Sequence, residues 1–312
     1  MTGAETAAAS IWDRERVWVT AGAVALIFLA AIEALAVTTV MPIVSAALDG
    51  QSLYAVAFAG TLATSVIGMV ATGAWSDARG PRGALYAAVS LFIIGLLISG
   101  FATTMHQFLV GRLVQGLGTG GQTVALYVVV ARLYPQELHG RVFAAFAAAW
   151  VVPSMVGPFL AGAVAEYLDW RWAFLGVAVL TAAAFAVIAV RLRGVDLGHG
   201  EPQDRRALVV RLLLAVVVAI AAVGIGFSAE LEPAWGWPAA AIAVLVIGVA
   251  LLPLLPKRTL RAGSGLPSVV LMRGLAAGAF FAAEAYVPYL LMERFGFSAT
   301  WAGVALMLAA FA

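Results

Sequence analysis

The sequence predicts an all-α integral membrane protein, and three observations support this. Of its 312 residues, 63% are hydrophobic and only 11% are charged, with a mean hydropathy of +1.02. A soluble domain carries about 25% charged residues. The apolar residues form continuous runs of about 20, the length at which a helix crosses a bilayer. These runs lack the alternation of polar and apolar residues that is typical of membrane β-barrels. We therefore expect a helical bundle.

The predicted helices are apolar runs bounded by charged residues, glycine or proline. About ten are expected, over residues 18–41, 53–75, 84–103, 108–133, 142–165, 172–190, 207–227, 237–255, 274–292 and 299–312. The last run is too short to cross a bilayer, so we expect the chain to be truncated at its C-terminus.

The basic residues predict the orientation of the bundle, because lysine and arginine are retained on the cytoplasmic side. On one side the connections hold only Arg171 and Arg294. The connections on the other side, with the N-terminus, hold Arg14, Arg16, Arg79, Arg82, Arg132, Arg141, Arg191, Arg193, Arg205, Arg206, Arg211, Lys257, Arg258, Arg261 and Arg273. We therefore expect a multi-pass protein of the plasma membrane with a cytoplasmic N-terminus.

A glycine-rich motif lies on the turn between the second and third helices. Residues 73–83 read GAWSDARGPRG, a GxxxDxxGxR pattern. The motif resembles the signature loop of the major facilitator superfamily, in which glycines allow a tight turn and charged residues hold the two halves in one state. The resemblance implies a conformational latch made of Gly73, Asp77, Gly80 and Arg82. A solvated hairpin is the alternative.

Two further motifs lie inside helices. Residues 112–116 read RLVQG, which resembles the RxxQG pattern of the superfamily. Gly116 and Gly120 have the spacing of small residues that let two helices approach closely. Residues 157–162 read GPFLAG and resemble the end of the motif typical of the superfamily's antiporters. The antiporter-type motif that this resemblance implies consists of Pro153, Gly157, Pro158 and Gly162.

Two segments resemble one branch of the superfamily, the fourteen-helix drug:proton antiporters. They are residues 33–42 (EALAVTTVMP) and 170–174 (WRWAF). In that branch two extra helices lie between the six-helix halves. The resemblance implies an N-terminal half over residues 1–190, a cytoplasmic loop over 191–206, two linker helices over 207–265 and the incomplete start of a C-terminal half over 266–312.

Three charged residues inside the predicted spans, Glu33, Arg112 and Glu284, are candidates for proton coupling. A charge inside the membrane is costly and is therefore a functional candidate. A low dielectric disfavours the charged form of a carboxylic acid, which lets it exchange protons near neutral pH. The helical rise places Glu33 and Arg112 in one layer, so we predict that they pair. The alternative is a glutamate that faces a water-filled cavity or is held by one salt bridge.

Gln115, Tyr127 and Tyr286 are candidates for a substrate cavity, because carrier sites combine a few polar groups with apolar walls. Equally, such side chains form hydrogen bonds between helices or lie at the membrane interface.

The sequence favours a transporter over an enzyme. It contains no cysteine and none of the HExxH, GxSxG or Walker-type patterns. We expect no cofactor, no metal and no nucleic-acid partner. The prediction is a monomeric secondary transporter in the lipid bilayer that exports small amphipathic compounds in exchange for protons, as in multidrug efflux. A facilitator or a proton-coupled importer of a small metabolite on the same fold is the alternative.

Overall fold

The computed structural model describes residues 10–13, 16–198, 204–228 and 231–309. The helices of this part of the chain are α1 (Val17–Ala47), α2 (Tyr54–Arg79), α3 (Pro81–Gly100), α4 (Met105–Leu133), α5 (Gln136–Tyr167), α6 (Trp172–Arg191), α7 (Arg205–Ser228), α8 (Pro233–Leu251), α9 (Leu266–Phe295) and α10 (Ala299–Ala309). Among the described residues, α1 to α8 are long and apolar enough to cross a membrane. The predicted fold class, an all-α membrane bundle, is confirmed.

The first helix is longer than the sequence predicted. α1 continues past Met41 to Ala47 with Pro42 inside it. A proline removes one backbone donor, but side-chain hydroxyls and neighbouring helices compensate for this loss in membrane helices. Here the carbonyl that loses its donor is that of Thr38, and Pro42 itself is buried among the neighbouring helices. The prediction that this helix ends at residue 41 was therefore wrong, because proline was taken as a helix end.

The first six helices are arranged as two units of three. α1 packs against α5 and α6, α4 packs against α2 and α3, and α3 meets α6. Exchanging α1–α3 with α4–α6 leaves this pattern of contacts unchanged, which is the arrangement of an inverted repeat. We call the end with the α2–α3 and α4–α5 connections the inner end, and the opposite end the outer end.

Small residues bring α4 close to its neighbours. A Cβ atom at Gly116 would collide with Thr64 of α2, and one at Gly120 would collide with the Ser65 backbone. The predicted close approach at these two glycines is confirmed. On the other side of α4, a Cβ atom at Gly95 of α3 would collide with the Gln115 backbone. α4 is thus held between α2 and α3 with little space for side chains.

Two apolar cores fill the six-helix unit. One lies toward the outer end and includes Phe108 of α4, and the other lies toward the inner end and includes Ala125 of α4. The remaining helices lie outside this unit: α7 packs on α2 and α8 packs on α7, while α10 packs on α5 and α9. The stretch of α4 between Phe108 and Ala125 carries the polar residues that form the site.

Candidate functional site

A polar cluster of three side chains lies between α1 and α4. Glu33 comes from the middle of α1, and Arg112 and Gln115 come from the outer half of α4. Residues three apart on a helix share a face, so Arg112 and Gln115 both point toward the same region. The structure therefore brings together two of the predicted coupling residues and one predicted cavity residue.

A single nitrogen atom holds the cluster together. Arg112 Nη1 forms an ion pair with Glu33 Oε1 and also donates to Gln115 Oε1 at 2.7 Å. Glu33 is 3% exposed, Arg112 4% and Gln115 0%. Among the described residues, Arg112 Nε and Gln115 Nε2 are buried donors without a hydrogen-bond partner. The cluster thus has spare donors that a rearranged carboxylate can use.

Gln115 does not line an open cavity. Its side chain is fully buried, because Gly95 lets the backbone of α3 close over it. In this structure Gln115 accepts a hydrogen bond from Arg112, and its assignment to a substrate cavity stays a prediction. A second glutamine of α4, Gln122, donates to the Leu26 carbonyl of α1 at 3.0 Å and fixes the two helices to each other.

The other cavity candidates lie on separate surfaces. Tyr127 is 42% exposed and packs edge-on against Phe143 of α5, with 5.2 Å between ring centroids. Tyr286 of α9 is 56% exposed. The third coupling candidate, Glu284, has a side chain outside the described part of the chain. The structure does not join the two tyrosines to the cluster.

The inner turn between α2 and α3 is tight. Gly80 alone separates the two helices, and its φ of +83° strains any residue with a side chain. Arg82 Nη1 donates to the Leu192 carbonyl just after α6, at 3.4 Å. This contact of the predicted latch therefore lies within the six-helix unit.

Gly73 and Asp77 of the same motif lie on the other side of the turn. Together with Arg211 of α7 they line a groove of about 600 Å³ between α2, α7 and α8. Apolar residues of α2 and of the segment after α8 form its other walls. The motif thus has two environments, one facing α6 and the other facing α7.

Arg132 is an inner-end residue whose contacts sequence reasoning missed. Its Nη1 donates to the carbonyls of Leu197 at 3.1 Å and Gly198 at 2.7 Å, and its Nη2 donates to the Ser76 carbonyl of α2 at 3.2 Å. In the sequence this residue is one of the basic residues that predict the orientation of the bundle. The sequence carried no signal for these contacts, because the carbonyls that Arg132 binds all lie outside α4.

Tyr134, the residue directly after α4, forms a second hydrogen-bonded contact at the inner end. Its hydroxyl lies 2.7 Å from Thr20 Oγ1 of α1. Burial raises the pKa of the Tyr134 hydroxyl above its ordinary value, so the group stays neutral and fit for hydrogen bonding.

The antiporter-type motif faces two different helices. Pro153, Gly157, Pro158 and Gly162 are all buried, and α5 continues through both prolines. Gly157 lies against Leu35 of α1. A Cβ atom at Gly162 would collide with the α10 backbone. The motif therefore lies at the contact of α5 with α1 and α10.

Glu166 is another residue that sequence reasoning missed. It lies in the last turn of α5, and its carboxylate accepts hydrogen bonds from the hydroxyl and the backbone of Thr300 in α10. The sequence offered no signal for this contact, since the two residues are 134 positions apart. Among the described residues, no group of histidine, aspartate and glutamate side chains could hold a metal ion.

A membrane bundle whose helices form an inverted repeat is an architecture that many membrane transporters share. The family model of the Major Facilitator Superfamily matches residues 23–312. The chain belongs to this superfamily.

Curated relatives match part of the chain. An uncharacterized transporter of Schizosaccharomyces pombe is 34% identical over 149 residues, covering 47% of this chain and 25% of the relative. The MFS efflux transporter aclA of Aspergillus oryzae is 33% identical over 148 residues, covering 47% of this chain and 27% of the relative. The match thus spans about a quarter of the length of these relatives.

Solved structures show the same fold at low identity. A POT family transporter in complex with 5-aminolevulinic acid has a TM-score of 0.69 and 14% identity, covering 94% of this chain and 66% of that chain. A D-xylose-proton symporter has a TM-score of 0.50 and 14% identity, covering 95% and 96% of the two chains.

Proposed function

We propose that the protein is a secondary active transporter that couples proton influx to the export of small amphipathic compounds by alternating access. The observation that carries the proposal is the buried ion pair of Glu33 and Arg112. The nitrogen of this pair, Arg112 Nη1, also donates a hydrogen bond to Gln115 Oε1. The curated relatives include a protein named as an efflux transporter, which supports export over import.

The energetic argument starts from desolvation. Removing two charges from water costs several kcal/mol per ion, and pairing them recovers only part of that cost. An inert bundle would be at least as stable with apolar residues at both positions. A charged pair at this depth is therefore best explained by a function in which the charge changes.

The chemistry follows from the shared nitrogen. Ionised Glu33 holds Arg112 through the ion pair. When Glu33 takes up a proton, its carboxyl becomes neutral and the ion pair is lost, while Gln115 Oε1 still accepts a hydrogen bond from Arg112. Arg112 thus stays in place while the ion pair between α1 and α4 is lost, and the bond from Gln122 to Leu26 remains. Proton uptake and release would in this way be linked to the contact between the two central helices.

The inner turn would regulate the same cycle. We propose that Gly73, Asp77, Gly80 and Arg82 affect the balance between conformations and not substrate affinity, because the turn lies at the inner end, far from the cluster. The groove beside Asp77 and the bond from Arg82 to the segment after α6 support this assignment.

We also propose the domain division and branch that the sequence implied. In this proposal residues 1–190 form a transporter half, 207–265 a pair of linker helices, and 266–312 the start of a second half. The packing of α7 on the outside of α2, and of α8 on α7, supports a pair of helices lying outside the six-helix unit.

The test is transport of a panel of lipophilic cations into inverted membrane vesicles, with and without a proton gradient. Glu33→Gln should reduce gradient-driven transport to the rate without a gradient while substrate binding persists. Arg112→Ala should impair both, since it leaves a buried carboxylate unpaired. Glu137→Gln, which changes an exposed carboxylate in the first turn of α5, is the matched control.

Two outcomes would contradict the proposal. Full gradient-driven transport by the Glu33→Gln variant would remove Glu33 from proton coupling and transfer that role to Glu284. Transport at equal rates with and without a gradient, in the unmodified protein, would identify a facilitator.

A further inference from the structure

The outer end contains a hydrogen bond between helices that are far apart in sequence. Glu166 Oε2, in the last turn of α5, accepts from Thr300 Oγ1 at 2.5 Å and from the Thr300 backbone N–H at 3.2 Å. α5 belongs to the six-helix unit, and α10 lies outside it. The carboxylate therefore joins two parts of the bundle that the proposed transport cycle moves relative to each other.

The bond is a helix cap supplied by another helix. Thr300 is the second residue of α10, where the backbone N–H groups have no partner within the helix. A negative charge at this end is favoured by the helix dipole. The Ser298 hydroxyl, local to α10, accepts from the Trp301 N–H at 3.4 Å. Glu166 thus supplies a second cap, on the Thr300 N–H, beside the local cap that Ser298 supplies.

Below the cap, the two helices touch backbone to backbone. A Cβ atom at Gly162 of α5 would collide with the Ala299 carbonyl, and one at Gly303 of α10 would collide with the Pro158 carbonyl. Ala302, between these contacts, is fully buried. This close contact leaves no path between the helices over the outer third of α5.

The close contact is limited to the outer part of α5. Val151 and Val152, toward the middle of the helix, are 55% and 50% exposed. A second contact, between the rings of Tyr54 in α2 and Tyr289 in α9 at 5.3 Å, also lies at the outer end. The two parts of the bundle are therefore joined at the outer end by a close glycine contact, an aromatic pair and one exposed carboxylate.

We propose that Glu166 and Thr300 form an outer latch, which holds α10 against α5 while the outer side of the transporter is closed. In the closed state the glycine contact packs α10 closely against α5. Because Glu166 is exposed, water can reach the capping bond and replace it first. Opening toward the outside then requires loss of the cap. This inference rests on the proposed alternating access.

The first test reads the outer closure without transport. The chain has no cysteine, so Ala302→Cys provides a single buried reporter for an impermeant thiol reagent added from outside. Glu166→Ala and Thr300→Val, each added to the reporter, should raise the labelling rate several-fold, since each removes the capping bond that holds α10 against α5. Thr300→Ser, which keeps the hydroxyl, and Glu137→Ala, an exposed carboxylate at the inner end of α5, should leave the rate unchanged.

The second test locks the latch. Glu166→Cys with Thr300→Cys, joined by a short bifunctional thiol reagent, should stop transport, and cleaving the linker should restore it. Glu137 lies at the inner end of α5 and Thr300 at the outer end of α10, so the pair Glu137→Cys and Thr300→Cys should not crosslink. Unchanged reporter labelling in the Glu166→Ala variant, or normal transport by the linked protein, would overturn the latch.

The two tests separate the latch from the proposed function. If labelling rises as expected while the unmodified protein moves no substrate, the latch stands and the proposed transport function fails. If the unmodified protein transports but labelling stays at the control rate, the latch fails and the transport proposal is unaffected.

Discussion

Arg112 Nη1 donates to Gln115 Oε1 at 2.7 Å, one turn further along α4, and the same nitrogen pairs with Glu33 of α1. Gln115 therefore fixes the position from which Arg112 reaches across to α1. When the Glu33 carboxylate changes charge, the Gln115 amide is the group that still gives the Arg112 guanidinium a hydrogen-bond partner.

Gln115→Leu should destabilise the protein, because it removes an acceptor from a buried charged donor. The expected loss is about 1–3 kcal/mol, measured as a lower midpoint of thermal unfolding in detergent. Gln136→Leu, which changes an exposed glutamine at the start of α5, is the control and should leave the midpoint unchanged. Equal midpoints for the two variants would show that the bond to Arg112 carries no net stability.

Gly120→Ala should disrupt the contact of α4 with α2, since the added methyl group collides with the Ser65 backbone. Overpacking of this kind costs about 1–3 kcal/mol. Gly140→Ala in α5 adds the same methyl group where nothing lies within 4 Å, and it should stabilise the helix slightly. The measurement is the folded fraction in size-exclusion chromatography after heating; equal fractions would contradict the close contact.

Arg132→Gln should loosen the segment that follows α6. The variant loses the donors to the Leu197 and Gly198 carbonyls, so backbone amides of residues 192–198 should exchange hydrogen faster. Arg141→Gln, an exposed arginine in the first half of α5, keeps these bonds and should exchange at the original rate. Identical exchange in both variants would show that Arg132 does not hold this segment.

Orientation can be measured with single cysteines, since the chain has none of its own. Gly140→Cys lies at the inner end and should resist an impermeant thiol reagent in intact cells. Ser52→Cys is exposed at the outer end and should be labelled. The distribution of basic residues is the physical basis for this expectation. The reverse labelling pattern would invert the topology.

The polar cluster was only partly predictable. Helical rise placed Glu33 and Arg112 in one layer, but it could not tell which faces of α1 and α4 meet. α1 also proved longer than expected, so Glu33 lies 14 residues before its end at Ala47, about 21 Å, and not the shorter distance that an end at Met41 implied. The pairing depends on lateral packing, which spacing along one helix does not determine.

The sequence by itself determined the helical bundle, the glycine contacts of α4 and the family. The reason is that membrane helices must satisfy their backbone internally, so apolar length and small-residue spacing can be read from local sequence. Only the tertiary structure decided that Gln122 of α4 donates to the Leu26 carbonyl of α1, that Arg132 binds the segment after α6 and that Glu166 caps α10. These contacts join residues brought together by helix packing, and nothing local to either partner indicates the other.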